Sequence, residues 1–272
     1  MSDRYAVIGR PINHTKSPLI HGLFAQASSQ HLEYGAIEGS LDGFEAQVLQ
    51  FRTDGGLGMN ITAPFKLRAF ELADRRSERA QLARAANALK FEDGHITAEN
   101  FDGIGLLRDI EDNLGEPLRN RRVLVLGAGG AVRGALLPFL HAQPSELVIA
   151  NRDMSKALAL RNELDHPRLR ISRYEALEGQ TFDIVVNATS ASLVGELPPL
   201  PGGVLSEARL AYELAYGKGL TPFLRLAREA GVARLADGVG MLVEQAAEAF
   251  AWWRGVRPET RAVIDRLTIA LE

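Results

Sequence analysis

Short apolar runs alternate along this chain with stretches in which apolar residues recur every three or four positions. Runs of the first kind suit strands and stretches of the second suit amphipathic helices, so the alternation predicts repeated β-α-β units. In the first half, strands are expected at 5–8, 32–37, 58–61 and 86–91, with helices starting near Pro18, Gly43 and Pro64. Pro18 and Pro64 suit a first helical position, where the missing N–H costs nothing and the fixed φ is already helical. Glu92-Asp93-Gly94 reads as a hairpin turn between 89–91 and 95–97.

The second half begins after Glu116-Pro117 and opens on Arg122-Val123-Leu124-Val125-Leu126, the continuous apolar run of a parallel strand covered on both faces. A helix over 131–140 follows, then strands at 147–150, 169–171, 182–186, 210–214 and 233–235, and a helix is expected over 104–110 before them. Thr221-Pro222 starts one intervening helix and Gly231 ends it. From 239 to 254, Leu242, Ala246, Ala249, Phe250 and Trp253 keep helical spacing. A helix after the last strand must pack outside the sheet, so this segment is expected to lean back across a cleft. The expected fold is α/β, with a first domain over 1–103, a doubly wound parallel sheet over 104–238 and returning C-terminal helices over 239–272.

The length of 272 residues suits two domains of ordinary size. With 46% hydrophobic and 24% charged residues the chain falls in the globular class. A net charge of -3, with no run of five or more like charges, offers no footprint for nucleic acid. The absence of cysteine excludes disulfides, zinc-thiolate sites and thiol nucleophiles. No N-terminal stretch resembles a signal peptide, and no apolar stretch approaches the roughly 20 residues that span a bilayer. A cytoplasmic protein is expected, without nucleic acid or membrane as partner.

Between the strand at 122–126 and the helix at 131–140 stand Gly127-Ala128-Gly129-Gly130-Ala131-Val132-Arg133-Gly134. Glycines here let the backbone approach a pyrophosphate, which helix N-terminal amides then hold, as in a Rossmann-type dinucleotide-binding domain. The spacing is a variant, G-x-G-G-x-x-x-G, of the usual fingerprint. After the second strand of this half come Asn151-Arg152-Asp153-Met154-Ser155-Lys156. Arg152 and Lys156 suit the 2′-phosphate of NADP, whereas Asp153 suits the free 2′-hydroxyl of NAD or a helix cap. NADP is the expected cofactor, with NAD as the alternative.

Lys66 falls in the first turn of a helix, where a cation opposes the helix dipole and a structural lysine is uncomfortable. That dipole also lowers a lysine pKa toward acid/base use, and arginine has no proton to give up. The chain has only five lysines among its 31 basic residues. Asp102, in Asn100-Phe101-Asp102-Gly103, reads alone as a turn or cap residue. Reduction of a carbonyl creates an alkoxide that needs a proton donor and a carboxylate to tune that donor, and Lys66 with Asp102 supplies both. Thr15 and Ser17 stand before the helix near Pro18, where their hydroxyls suit either an N-cap or a substrate carboxylate. His14 and His21 have no partners at metal-ligand spacing, so no metal is expected.

Taken together, Gly9-Arg10-Pro11-Ile12 with Lys16-Ser17-Pro18, Asn60-Ile61-Thr62-Ala63-Pro64-Phe65-Lys66, Ala86-Asn87, Asn100-Phe101-Asp102-Gly103, the loop from Gly127 to Gly134, Asn151-Arg152, Asn187-Ala188-Thr189-Ser190 and the stretch from Asp237 to Ala246 resemble, in order and spacing, the shikimate dehydrogenases. The resemblance implies a cytoplasmic enzyme, monomer or homodimer, that reduces 3-dehydroshikimate to shikimate with NADP. It implies Lys66 and Asp102 as the catalytic pair, and Thr15, Ser17, Thr62, Asn87, Tyr216 and Gln245 as substrate contacts. Asn151 and Arg152 would hold the adenosine phosphate end of the cofactor, and Asn187, Ala188, Thr189, Ser190, Gly240 and Met241 would line its ribose and nicotinamide.

Three positions depart from the family pattern. Phe101 stands for a usual threonine and is expected to line and crowd the substrate pocket, the alternative being that its ring turns into the interdomain core. Asp153 also stands for a threonine, and bears on cofactor choice. Glu213, in Tyr212-Glu213-Leu214-Ala215-Tyr216, stands for an aspartate and is expected to touch only interdomain packing. These departures imply a specialised paralogue, and leave two alternatives: a quinate or aminoshikimate dehydrogenase using NAD, and a non-catalytic dinucleotide-binding sensor.

Overall fold

A computed structural model describes residues 2–271. They form two compact units, one made of the chain up to Gly105 with Val243–Arg266, the other of Leu106–Leu242 with the residues from Leu267 onward. The first unit runs β1 (Asp3–Gly9), α1 (Ser17–Ala27), β2 (Leu32–Glu38), α2 (Phe44–Thr53), β3 (Gly56–Ile61), α3 (Lys66–Leu72), β4 (Arg75–Arg76), α4 (Glu78–Ala83), β5 (Ala88–Glu92), β6 (His95–Glu99) and the start of α5 (Asp102–Arg108). Its sheet has the order β2-β1-β3-β5-β6-β4. β1 is parallel to both neighbours, and β5 is antiparallel to β3 and β6. The β5–β6 turn has Asp93 at φ +52° and Gly94 at φ +78°, the paired left-handed conformations of a two-residue hairpin.

Alternation along β1 divides the apolar side chains between two layers. Ala6 and Ile8 join Met59, Ile61, the α2 residues Phe44 and Val48, Phe65 just before α3, and Ala69 of α3. Tyr5 points the other way, to a cluster with Ala88, Phe101, Ala249 and Trp253.

The second unit runs β7 (Arg122–Leu126), α6 (Gly130–His141), β8 (Glu146–Ala150), α7 (Met154–Glu163), β9 (Leu169–Ser172), β10 (Ile184–Asn187), β11 (Leu210–Glu213), α8 (Pro222–Glu229) and β12 (Arg234–Asp237). All its strands are parallel, in the order β12-β11-β10-β7-β8-β9. This is the doubly wound dinucleotide-binding order, and the reversal between β7 and β10 is where such sheets bind ligands at their carboxyl ends. The α/β class expected from the sequence is therefore the observed one. The chain ends with α9 (Val239–Arg254) and α10 (Arg261–Leu267). Among the described residues no helix is long and apolar enough to cross a membrane.

Local differences have local causes. Pro64 does not open a helix: Phe65 N–H bonds back to the Thr62 carbonyl at 3.1 Å, closing a turn, and α3 begins at Lys66. The helix expected over 104–110 starts earlier, at Asp102, and passes into a π-helical turn over Asp109–Asn113.

Candidate active site

β3 delivers the turn that places Lys66 at the first position of α3, and β6 leads through Asn100 into Asp102 at the start of α5. Lys66 Nζ donates to Asp102 Oδ2 at 2.5 Å, the two side chains being 33% and 12% exposed. The ammonium thus reaches solvent while the carboxylate is nearly enclosed. Buried Asn87 Nδ2 donates to Asp102 Oδ1 at 2.8 Å and to Gln245 Oε1 at 3.1 Å. Asn87 Oδ1 accepts from the Phe101 amide at 2.8 Å, and Asn100 Oδ1 from the Asp102 amide at 3.1 Å. Both carboxylate oxygens and the backbone leading into Asp102 are therefore held.

Two further residues, Tyr34 and Asn60, to which the sequence reading assigned no role, extend this network. Asn60 Nδ2 donates to the Asn87 carbonyl at 3.2 Å, and Asn60 Oδ1 accepts from Tyr34 Oη at 2.6 Å. The only sequence signal was an asparagine inside an otherwise apolar buried strand, since buried polar groups need partners.

Thr15 Oγ1 donates to Ser17 Oγ at 3.2 Å and accepts the Ser17 amide at 3.3 Å, while the α1 N-cap residue, Lys16, supplies no side-chain cap. Thr62 presses against Gly9 so closely that a Cβ there would lie 2.2 Å from Thr62 Cγ2. Phe101 is only 3% exposed and packs within the cluster of Tyr5, Ala88, Ala249 and Trp253. Its ring is committed to packing inside the first unit rather than to an open pocket.

In the second unit, Gly127 follows β7 at φ +108°, and a Cβ there would meet the Ala188 carbonyl oxygen at 3.1 Å. Gly129 and Gly130 are exposed with open space above them, and the α6 N-cap residue, Gly129, supplies no side-chain cap. The first amides of a helix have no intrahelical partner, and the open space at these two glycines leaves room for the pyrophosphate of a dinucleotide. After β8, Asp153 caps α7: its Oδ1 accepts from Ser155 N at 3.0 Å and Ser155 Oγ at 2.6 Å. Those bonds hold its carboxyl below the ordinary value. Asn151 Nδ2 bonds the Asp153 carbonyl at 2.8 Å, and Arg152 and Lys156 are exposed.

Asn187, fully buried at the end of β10, accepts from Thr189 N and Oγ1 at 3.2 and 2.8 Å and so shapes the segment through Ser190. Its Nδ2 donates to Glu213 Oε2 at 2.9 Å. Glu213 also takes Ser192 Oγ, Thr221 Oγ1 at 3.2 Å and the Ala215 amide at 3.3 Å. Burial pushes its carboxyl up, against those donors. The expectation that Glu213 touches only interdomain packing is thus corrected: β11 pairs with β10 so that Glu213 faces Asn187 inside the second unit. Tyr216 also belongs to the second unit and is 43% exposed. Gly240 is buried and Met241 half-buried at the start of α9. Among the described residues no group of three His, Asp or Glu side chains is placed to hold a metal ion.

Three family models match the chain: the shikimate dehydrogenase substrate-binding domain over 7–89, shikimate / quinate 5-dehydrogenase over 109–194, and the shikimate 5'-dehydrogenase C-terminal domain over 238–268. A shikimate dehydrogenase (NADP(+)) of Nitrosospira multiformis is 54% identical over 272 residues, covering 100% of this chain and 99% of that protein. The crystal structure of an Ael1 enzyme from Pseudomonas putida is 90% identical, with a TM-score of 0.99 over 100% of both chains. That of shikimate 5-dehydrogenase from Thermus thermophilus, in complex with NADP(H) and shikimate, is 30% identical with a TM-score of 0.86 over 97% of each.

Proposed function

Since the chain belongs to the shikimate dehydrogenase family, we propose that it catalyses the reversible NADP-dependent reduction of 3-dehydroshikimate to shikimate, in the cytoplasm and on the route to chorismate and the aromatic amino acids. The observation that carries this reading is the pairing of Lys66 with Asp102 at 2.5 Å, next to Asn87 and Gln245. When bound, NADPH supplies the hydride. As the substrate oxygen takes on negative charge, the Lys66 ammonium gives it a proton, and in the oxidation direction the neutral amine takes that proton back. Asp102 orients the ammonium, and Asn87 holds Asp102 in place by its other oxygen. Thr15 and Ser17, at the start of α1, receive the substrate carboxylate, with Thr62, Asn87, Tyr216 and Gln245 on the hydroxyls. The loop Gly127-Ala128-Gly129-Gly130-Ala131 receives the pyrophosphate and Asn151, Arg152 and Lys156 the adenosine phosphate end. Asn187 to Ser190 with Gly240 and Met241 line the remainder. The partners are small molecules and no nucleic acid, and the protein works as a monomer or homodimer.

NAD is the second reading, favoured by the carboxylate of Asp153 beside Arg152. Initial rates with shikimate and quinate, each with NADP and NAD, decide among the readings. The proposal expects the highest kcat/KM for shikimate with NADP. Faster quinate oxidation with NAD overturns it, and cofactor binding without turnover of either acid indicates a sensor.

A further inference from the structure

At the start of α9 the backbone is closely packed at two glycines inside the second unit. Asp109 is 3% exposed, and its carboxylate fills the place of the side chain Gly240 lacks: a Cβ on Gly240 would lie 1.9 to 2.1 Å from its three carboxyl atoms. Tyr212, fully buried on β11, donates from Oη to Asp109 Oδ2 at 2.7 Å, and the same oxygen accepts the Met241 amide at 3.2 Å. Asn113 Nδ2 donates to Asp109 Oδ1 at 3.0 Å across the π-helical turn. Such turns re-aim a side chain by inserting a residue into a helix. Two residues before Gly240, a Cβ on Gly238 would meet the Leu214 carbonyl oxygen at 2.1 Å.

We propose that Asp109 and Tyr212 are positioning residues that clamp the Gly240–Met241 backbone and so fix the surface on which the nicotinamide ring rests. The first amides of a helix have no intrahelical partner. Here Asp237 Oδ1 takes the Val239 amide at 3.2 Å and Tyr212 Oη takes that of Met241, while the first intrahelical bond, Leu242 N–H to the Gly238 carbonyl, is 3.0 Å long. A hydroxyl that donates to a carboxylate becomes a better acceptor through its own oxygen, so Asp109 strengthens the bond to Met241. Burial, with the carboxylate beside it, pushes the Tyr212 hydroxyl well above its ordinary value, so it remains a donor. Asp109 over Gly240 blocks movement in one direction and the Met241 bond blocks it in the other. This inference rests on the proposed cofactor role of Gly240 and Met241.

The test compares wild type with Tyr212→Phe and Asp109→Asn by three readouts: hydrogen exchange of the Met241 amide without cofactor, NADPH affinity by fluorescence titration, and steady-state kinetics with shikimate and NADP. For Tyr212→Phe the expected result is at least tenfold faster Met241 exchange and a kcat lower by roughly ten- to a hundredfold, as small misplacement of reacting groups causes. KM for shikimate and Kd for NADPH stay within about threefold, because their main contacts lie elsewhere. Asp109→Asn keeps the shape of the clamp and shows a smaller change in the same direction, and it carries the test alone should Tyr212→Phe not fold. Unchanged exchange and kcat, with only a lower melting temperature, overturn the clamp while leaving the cofactor reading in place. A wild-type protein that binds no NADPH overturns the cofactor reading and this proposal together.

Discussion

The rings of Phe101 and Trp252 meet edge to face, 5.7 Å apart at 68°, and the guanidinium of Arg79 stands 5.5 Å over the Phe101 ring. The residue that departs from the family's threonine is therefore part of the apolar packing around α9. Phe101→Thr should cost about 2 to 4 kcal/mol by leaving a cavity, and lower the melting temperature by on the order of 5 to 10 °C. Shikimate kinetics should change little, since the Phe101 amide keeps its bond to Asn87. A rise in kcat/KM for shikimate without loss of stability, read by calorimetry and initial rates, contradicts this and restores the pocket reading.

Asp102→Asn keeps the shape but removes the charge that orients Lys66. Turnover should fall by about a hundredfold or more, and combining it with Lys66→Ala should cost much less than the two separate losses multiplied. Multiplicative losses in a double-mutant cycle on kcat contradict a cooperating pair.

Cofactor choice is open to direct change at Asp153. Threonine there keeps a side-chain oxygen to cap α7 while removing the exposed negative charge. Asp153→Thr should raise the ratio of NADP to NAD efficiency by roughly three- to tenfold, and Arg152→Ala should lower it. A ratio that neither substitution moves shows that selectivity lies outside this loop.

His21 gives the first unit an acid sensitivity. It is 1% exposed and stacks on Tyr34 with ring centres 4.1 Å apart, and burial lowers its pKa from 6.5 to about 3. The folded state thus keeps it neutral, while the unfolded chain takes up a proton below its ordinary pKa. The stabilisation is complete above pH 6.5 and is lost as pH falls toward about 3. Between about pH 6 and pH 4 the loss should be about 2 to 3 kcal/mol. In His21→Phe, which keeps the aromatic stack, denaturant unfolding should weaken with acid by that much less; equal acid slopes contradict the assignment.

The parts of the fold that could be read from the sequence are those in which pattern and local chemistry agree. β7, its glycine loop and α6 follow directly from an apolar run, glycines and a helical period. Thr221 caps α8 by accepting the Leu224 amide at 3.3 Å, as its Thr-Pro start implies. α4 stayed hidden because it is six residues long and its buried positions, Ala80 and Ala83, are too small to mark a period. β4 is two exposed arginines, held as a strand by pairing with β6. At the site, Lys66 and Asp102 were legible because the chemistry requires a proton donor with a carboxylate. Tyr34, Asn60, Asp109 and Glu213 were not, because each acts through a neighbour remote in the chain that only the folded sheet brings near.

The proposed chemistry depends above all on Lys66 as the group that moves the proton in an NADP-dependent oxidation of shikimate. It is tested most directly by measuring kcat for shikimate and Kd for NADPH in wild type and Lys66→Ala side by side. Lys66→Ala should lower kcat by on the order of a thousandfold or more and leave NADPH affinity within about twofold, because the proton donor is lost while the glycine loop is untouched. Near wild-type turnover in Lys66→Ala would contradict it.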